Sequence, residues 1–487
     1  MKKYILSIDS GTTGVTVLLV DKKLNVVKKT YSELKQYYPQ PGWVEHDPEE
    51  LIQKIKKLIH KAVKDYSVND IASIGITNQR ETVVVWDKNT GKAIYNAIVW
   101  QCRRTEKYCK ELGKHKKTVF NKTGLYIDSY FSATKIKWIL DNVKNIQSMI
   151  DKKNLCAGTI DTWIIWNLTK GESHLTDHTN ASRTMLFNIE NKNWDNYLLS
   201  LFNIPKNILP KVKNSMDDFG LATIKGVQIP IQGVAGDQQA ALFGQGCLTN
   251  GSSKCTYGTG LFYLLNTGKK RINSNNGLLT TLASDKNGKP VYAIEGSVFI
   301  GGAVIQWIRD ELKLIKKASE SEDIALSIND TQGVYIVPAF VGLGAPYWNS
   351  ESRGIITGLT RGTNTKHIIR AALESIAYQV NDLLKSIKKD TKKSLKMLNV
   401  DGGATSNKFL LQFQADVSNI TIIKPFNIES TALGSAILAG VQSSFWKDTE
   451  EAFKYKKNDS VYTPEITKSR REKLIKGWEL SIEKVNR

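Results

Sequence analysis

A carboxylate flanked by glycine and two amides stands between a predicted strand and a predicted helix in residues 233–243, Gly-Val-Ala-Gly-Asp-Gln-Gln-Ala-Ala-Leu-Phe. The apolar residues 229–234 predict the strand, and the spacing of Ala240, Ala241 and Phe243 predicts the helix. Catalytic residues of open α/β sheets often lie at such a junction. A carboxylate at Asp237 can take the proton from a hydroxyl that attacks a phosphoryl group. The alternative is that Asp237 only caps the helix.

Two predicted hairpins carry glycines and hydroxyls at their tips. In the first, strands at residues 4–9 and 15–20 flank the turn Ser-Gly-Thr-Thr-Gly. The backbone N–H groups and the hydroxyls of Thr12 and Thr13 suit phosphate oxygens, and Asp9 at the strand end suits Mg²⁺ bound through water. An ordinary hairpin turn is the alternative. The same design returns at residues 252–265, around Thr-Tyr-Gly-Thr-Gly, which indicates a duplicated domain with a nucleotide between the copies.

An arginine and a glutamate stand together at a predicted strand break. The strand at residues 71–77 ends in Asn-Gln-Arg80-Glu81, and residues 82–86 resume it. Arg80 supplies hydrogen-bond donors and Glu81 supplies acceptors, which suits a neutral polyol. The alternative is a surface salt bridge. Trp100 is either a core residue or an apolar wall for substrate carbons.

The second half of the chain contains another glycine-bearing strand end. A strand at residues 395–400 leads into Asp-Gly-Gly-Ala-Thr-Ser-Asn, residues 401–407. Glycines after a strand let the backbone approach a ligand closely, so this loop suits adenosine and an α-phosphate; a tight connection to the next helix is the alternative.

Strands and helices alternate throughout, which predicts an α/β fold. The turn cluster near residues 246–251 predicts domains at residues 1–248 and 249–487.

The composition excludes several classes of protein. A chain of 487 residues is too long for one compact core, and its formal net charge of +21 comes from scattered lysines, which favours a generally basic surface without a nucleic-acid function. The five cysteines form no CxxC pair, so we expect no disulfide framework or zinc site and predict a reducing, cytoplasmic location. We find no signal peptide or membrane-spanning run. His174 and His178 lack a third metal ligand nearby, which predicts a solvent-facing loop.

Taken together, five ordered motifs resemble the FGGY family of carbohydrate kinases, and within it the members that phosphorylate glycerol. The motifs are Asp-x-Gly-Thr-Thr, Asn-Gln-Arg-Glu, Gly-Asp-Gln-Gln, Thr-Tyr-Gly-Thr-Gly and Asp-Gly-Gly-Ala, and the similarity runs from Asp9 to about Gly440. The resemblance implies two RNase H-like domains of the actin/hexokinase-like ATPase type around a central cleft. It also implies ATP-dependent phosphorylation of glycerol to sn-glycerol 3-phosphate with Mg²⁺, and a homodimer or homotetramer.

The resemblance also implies a role for individual residues. Asp237 is the expected general base, Asp9 the expected metal-binding residue through water, and the first domain the expected polyol site. The expected polyol-binding residues are Arg80, Glu81, Trp100, Tyr130, Asp237, Gln238 and Phe262. The expected nucleotide-binding residues are Thr12, Thr13, Thr259, Gly302, Gln306, Gly403 and Asn407.

Some residues depart from the pattern of this family. Ser10 stands where many glycerol-phosphorylating members have glutamine, and Thr16 stands where an arginine near the phosphates is common. Residues 224–230 lack the glycine/arginine loop that binds a sugar bisphosphate in bacterial relatives. Two alternatives stay open: a kinase for a larger polyol or a ketose on the same fold, and a non-catalytic, nucleotide-driven scaffold.

Overall fold

The structure, a computed structural model, describes residues 2–486 of the chain. Its strands are β1 (Tyr4–Ser10), β2 (Gly14–Asp21), β3 (Val26–Glu33), β4 (Glu45–His46), β5 (Ile71–Asn78), β6 (Val83–Asp87), β7 (Ala97–Ile98), β8 (Leu155–Thr159), β9 (Leu175–Asp177), β10 (Phe187–Asn188), β11 (Asn193–Trp194), β12 (Lys211–Lys213), β13 (Leu221–Ile224), β14 (Val227–Gly236), β15 (Ser253–Tyr257), β16 (Leu261–Gly268), β17 (Leu279–Ser284), β18 (Pro290–Val298), β19 (Tyr335–Val337), β20 (Ile355–Thr357), β21 (Met397–Asp401), β22 (Thr421–Pro425) and β23 (Asn458–Tyr462). Its α-helices are α1 (Pro48–Ala62), α2 (Glu106–Glu111), α3 (Lys116–Thr123), α4 (Ser132–Asn142), α5 (Ile146–Asp151), α6 (Ile160–Leu168), α7 (His178–Ala181), α8 (Asn196–Leu201), α9 (Asp237–Gly244), α10 (Ala303–Asp310), α11 (Glu320–Leu326), α12 (Thr365–Thr391), α13 (Lys408–Ser418), α14 (Ser430–Gln442), α15 (Thr449–Phe453) and α16 (Lys468–Val485).

The first large sheet has the strand order β13-β14-β5-β1-β2-β3. Strands β1, β2 and β3 form an antiparallel meander, and β5 and β14 run parallel to β1. In this register Asp9 lies beside Thr77, and Gly236 lies beside Asn78. Because the carboxyl ends of parallel strands meet at one edge of a sheet, Asp9 and the residue after Gly236, Asp237, come to the same edge.

The second large sheet repeats this design in the order β17-β18-β16-β15-β21-β22-β23. Strands β15, β16 and β18 lie side by side and antiparallel, β17 lies beyond β18 at the edge, and β21 and β22 run parallel to β15. Thr256 lies beside Asp401, so the second hairpin and the glycine-bearing loop share one sheet edge. The duplication that the two hairpins predicted is therefore present, and each copy carries the RNase H-like strand order.

Helix α14 connects the two halves of the molecule, because it packs on the first sheet although it comes late in the chain. The Ser7 hydroxyl on β1 donates to the Ala432 carbonyl at 2.7 Å. A Cβ on Gly434 would lie 1.9 Å from the Ala240 carbonyl oxygen of α9, so only glycine allows this approach of the two helices. The domain boundary near residue 248 stays a prediction, and the contact shows that residues beyond it complete the first core.

The strand break before Arg80 separates two sheets. Strand β5 ends at Asn78 in the first large sheet, and β6 begins at Val83 in a four-stranded sheet ordered β4-β7-β6-β8. Glu81 has φ 62°, a left-handed conformation that is uncommon for a residue with a side chain. The chain therefore turns sharply at Arg80 and Glu81, and both side chains are buried there.

The prediction of a solvent-facing loop at the two histidines was wrong. His178 begins α7 and is buried, with its Nε2 3.1 Å from the Ala283 carbonyl oxygen. Within residues 2–486, no group of three or more His, Cys, Asp or Glu side chains is arranged to hold a metal ion. None of the helices in that range is both long and apolar enough to cross a membrane.

Candidate active site

Asp237 is the first residue of α9, directly after the end of β14. Gly236 occupies the N-cap position, and the Asp237 side chain is 26% exposed. Its Oδ1 lies 3.2 Å from Nε of Arg80 and accepts a hydrogen bond from the Gln238 backbone N–H at 2.7 Å. Burial raises the pKa of Asp237, and the positive charges of Arg80 and Lys254 oppose that rise. An accessible carboxylate with these neighbours suits a proton acceptor.

Arg80 is held by a glutamate from the other half of the chain. Its Nη1 and Nη2 donate to Oε2 and Oε1 of Glu295 at 2.5 and 2.9 Å, which is a bidentate ion pair. Both side chains are almost completely buried. The two guanidinium groups of Arg183 and Arg80 hold the pKa of Glu295 at about 2, against the effect of burial. The pair fixes the guanidinium plane and leaves Nε facing Asp237.

Glu81 is paired with a second buried arginine. Arg183 Nε donates to Glu81 Oε1 at 2.7 Å, and Arg183 Nη2 donates to Glu295 Oε1 at 2.9 Å. Burial raises the pKa of Glu81, and the charges of Arg80 and Arg183 oppose the rise. The alternative of a surface salt bridge between Arg80 and Glu81 does not hold, because both side chains are buried in a network of two arginines and two glutamates.

Three aromatic rings line the region beside these charges. Tyr130 and Trp100 meet edge to face at 5.4 Å between ring centroids, and Trp100 meets Phe262 at 6.1 Å. The Tyr130 hydroxyl lies 3.5 Å from Arg80 Nη2. Since Phe262 comes from β16 of the second sheet, the wall is built from both halves of the chain. These contacts connect all seven residues expected at the polyol site. We call this set of residues the polyol pocket: Arg80, Glu81, Trp100, Tyr130, Asp237, Gln238 and Phe262.

The expected nucleotide-binding residues lie at the tips of the hairpins and the loops beside them. Thr12 Oγ1 accepts a hydrogen bond from Trp100 Nε1 at 2.8 Å, which ties the first tip to the polyol pocket, and Thr13 is exposed. In the second half, the Gly302 N–H donates to the Gly258 carbonyl at 2.8 Å, one residue before Thr259.

The remaining residues of this set surround the same tip. A Cβ on Gly302 would lie 3.8 Å from Cβ of Ala404, next to Gly403. Gln306 is exposed on α10, and Asn407 caps α13, where its Oδ1 accepts from the Leu410 N–H at 2.9 Å. The structure thus brings Thr259, Gly302 and Gly403 together, and it places Asn407 at the start of the following helix.

Asp9 has the surroundings of a residue that faces a cation. Burial, together with the charges of Asp237 and Glu429, raises its pKa to about 8, and Lys29 only partly opposes the rise. Asp9 and Asp237 come to the same edge of the first sheet, and one or two carboxylates together with substrate phosphates are the ligands that Mg²⁺ usually takes in proteins. The residues present therefore fit Mg²⁺ held through Asp9.

Sequence reasoning missed four charged residues that support the pocket. Arg183 pairs with Glu81, and Glu295 pairs with Arg80. Lys254 donates to Gln238 Oε1 at 2.5 Å. Lys135 Nζ donates to the carbonyls of Ser129, Tyr130 and Phe131, which holds the segment that carries Tyr130. None of the four stands in a recognisable local pattern.

Comparison with known proteins places the whole chain in one group. The N-terminal domain model of the FGGY family of carbohydrate kinases matches residues 4–244, and the C-terminal domain model matches residues 253–443. A glycerol kinase of Clostridium botulinum (strain 657 / Type Ba4) is 54% identical over 490 residues, covering 99% of this chain and 98% of that protein. A glycerol kinase of Caldanaerobacter subterraneus is 53% identical, covering 99% of each chain.

Solved structures give the same result. The crystal structure of Plasmodium falciparum glycerol kinase with ADP matches with a TM-score of 0.92 and 40% identity, covering 99% of this chain and 98% of that chain. A xylulose kinase from Lactobacillus acidophilus matches with a TM-score of 0.86 at 22% identity, covering 99% of this chain and 97% of that chain, which shows the shared fold alone. These matches confirm the predicted actin/hexokinase-like fold of two α/β domains, and the chain belongs to the FGGY family of carbohydrate kinases.

Proposed function

We propose that this chain transfers the γ-phosphoryl group of ATP to glycerol and produces sn-glycerol 3-phosphate. The observation that carries the proposal is the polyol pocket: an accessible carboxylate, Asp237, beside a buried arginine–glutamate network and an aromatic wall. Identity of 53–54% to glycerol kinases along the whole chain supports the choice of substrate.

In this proposal Asp237 is the general base. It accepts the proton of the attacking hydroxyl while that oxygen bonds to phosphorus and the bond from phosphorus to the bridging oxygen of ADP breaks. Arg80 Nη1 donates to Glu295 and Gln239, and Nη2 donates to Glu295 and lies 3.5 Å from the Tyr130 hydroxyl. Arg80 Nε, which faces Asp237, is therefore the nitrogen left to donate to the substrate oxygens. Glu81 accepts from a neighbouring hydroxyl. The rings of Trp100 and Phe262 cover the C–H surface of the substrate and exclude water.

The tips of the two hairpins and the loop after β21 form the proposed nucleotide site. Backbone N–H groups beside Thr12, Thr13 and Thr259 bind phosphate oxygens, and Gly403 lets the backbone approach the nucleoside. Asp9 would hold Mg²⁺ through water, and that ion would neutralise charge on the phosphates when bound.

Two further expectations stay predictions: the assembly of two or four chains, and the reducing, cytoplasmic location. All five cysteines are free and buried, which is compatible with a reducing location.

A substrate panel tests the function. We expect ATP consumption to be fast with glycerol, slower with dihydroxyacetone, xylulose or propanediol, and far slower with no acceptor, because closure around glycerol excludes water. ADP release is measured under one set of conditions with each acceptor in turn. Faster turnover of xylulose would favour the alternative of a ketose kinase. Equal ADP release with and without any acceptor would contradict a kinase and favour a nucleotide-driven scaffold.

The Glu81→Gln variant tests substrate recognition. A hydrogen bond to a charged group contributes roughly 1.5–3 kcal/mol, so its loss weakens binding about 10- to 150-fold. We expect the KM for glycerol to rise by this factor while the KM for ATP changes little. Steady-state kinetics with each substrate varied in turn measures both.

The matched control is Glu50→Gln, which removes a partly exposed carboxylate paired with Lys54 at 2.6 Å on α1. This variant should leave the KM for glycerol unchanged. If Glu81→Gln also leaves it unchanged, Glu81 does not bind the substrate.

A further inference from the structure

We propose that Lys254 is a positioning residue of the polyol pocket, which fixes the side-chain amide of Gln238 so that its N–H₂ end faces the substrate. The inference rests on the proposed polyol site. It concerns a buried lysine on β15 of the second sheet that acts on a residue of α9 from the first half of the chain.

Lys254 is buried and makes two short hydrogen bonds. Its Nζ donates to Gln238 Oε1 at 2.5 Å and to Thr256 Oγ1 at 2.7 Å. A buried ammonium without partners is costly, so both acceptors are needed to keep the charge in place. The charge lies close enough to Asp237 and Asp401 to interact with both carboxylates.

The chemistry of lysine determines which end of the Gln238 amide faces Lys254. An ammonium group can only donate hydrogen bonds, whereas a glutamine amide has one accepting and one donating end. Because Lys254 binds Oε1, the Nε2 end of Gln238 turns away from it. Asp237 directly precedes Gln238 at the start of α9, so the donating end of the amide is left for a substrate hydroxyl that binds beside Asp237.

Thr256 and Asp401 hold the lysine in turn. The Thr256 hydroxyl donates to Asp401 Oδ1 at 2.6 Å, so its lone pairs remain available to accept from Lys254. Gln245 Nε2 donates to the other oxygen, Oδ2, at 3.1 Å. Asp401 ends β21, directly before the glycine-bearing loop. Hydrogen bonds from Asp401 through Thr256 and Lys254 to Gln238 thus connect the strand before the proposed nucleotide-binding loop with the polyol pocket.

Loss of the lysine frees the amide to rotate. In Lys254→Met the apolar stem is preserved and the donor is removed, so Gln238 presents either end to the substrate. We expect the KM for glycerol to rise about 10-fold, the effect of one misplaced neutral hydrogen bond, with the KM for ATP nearly unchanged. If Lys254 only stabilised the fold, Lys254→Met would lower the melting temperature without raising the KM for glycerol more than the KM for ATP.

A double-mutant cycle gives the decisive measurement. The KM for glycerol is measured in the wild type, Lys254→Met, Gln238→Met and the double variant. If Lys254 acts through Gln238, adding Lys254→Met to Gln238→Met produces no further rise. The same fold-increase in both backgrounds would overturn the proposal, and so would an unchanged KM in Lys254→Met.

Two further variants keep the test interpretable. Thr256→Val removes the second acceptor of Lys254 and should raise the KM for glycerol in the same direction; if Lys254→Met does not fold, an unchanged KM in Thr256→Val overturns the proposal. Lys424→Met removes another lysine of the second sheet, which pairs with Asp459 at 2.8 Å and does not touch Gln238, and should leave the KM unchanged. The wild-type substrate panel shows separately whether glycerol is the substrate. If another polyol reacts faster, the cycle is run with that polyol.

Discussion

Asp237→Asn is expected to lower kcat by roughly 10²–10⁴-fold while the KM for ATP changes little. Asparagine keeps the size of the side chain and its ability to accept from the Gln238 N–H, but it cannot take a proton. In the structure, Asp237 stands at the carboxyl end of β14 with Arg80 Nε 3.2 Å away, so the substitution removes the base and leaves the surrounding polar groups in place. Initial rates of ADP release with saturating glycerol and ATP measure the effect.

A surface aspartate supplies the control for this variant. Asp459→Asn removes a carboxylate that pairs with Lys424 at 2.8 Å on the surface of the second sheet, and it should leave kcat unchanged. A kcat of Asp237→Asn close to that of Asp459→Asn would show that another group accepts the proton.

Glu295→Gln is expected to destabilise the protein by roughly 3–5 kcal/mol, because it leaves two buried guanidinium groups short of a counter-charge. Glu295 neutralises Arg80 and Arg183 at the junction of the two halves, and all three side chains are almost completely buried. We expect a markedly lower melting temperature and a higher KM for glycerol, since Arg80 loses its fixed orientation. Calorimetry and steady-state kinetics measure the two effects.

The low pKa of Glu295 defines the pH range in which this carboxylate stabilises the folded protein. Its folded-state pKa of about 2 lies below the ordinary value of 4.5, so its stabilising effect is present above pH 4.5 and is lost as the pH falls toward 2. The difference in the free energy of unfolding between wild type and Glu295→Gln should therefore be constant near neutral pH.

The control Glu479→Gln breaks an exposed ion pair with Lys385 and should lower the free energy of unfolding by about 1 kcal/mol or less. Equal melting temperatures of the two variants would contradict the ion-pair network.

The sequence alone was sufficient for features that depend on neighbouring residues. A strand followed by glycine and Asp237, and two hairpins with Thr12 and Thr259 at their tips, were predicted from local patterns, and the structure contains each of them. Such features are local because strand periodicity and turn chemistry involve only a few consecutive residues. The family motifs are equally local, and they were enough for the α/β fold with two similar domains.

Only the tertiary structure decided which charges meet in the site. Arg80 pairs with Glu295, 215 residues later, and Thr256 pairs with Asp401, 145 residues later. Helix α14 returns to the first sheet, where Ser7 and Ala432 are 425 residues apart. These pairings depend on strand order and on how two sheets face each other across a cleft. The sequence by itself therefore determined the type of enzyme and predicted most of the residues proposed to bind the substrates, whereas the buried network of charges around them follows from the fold.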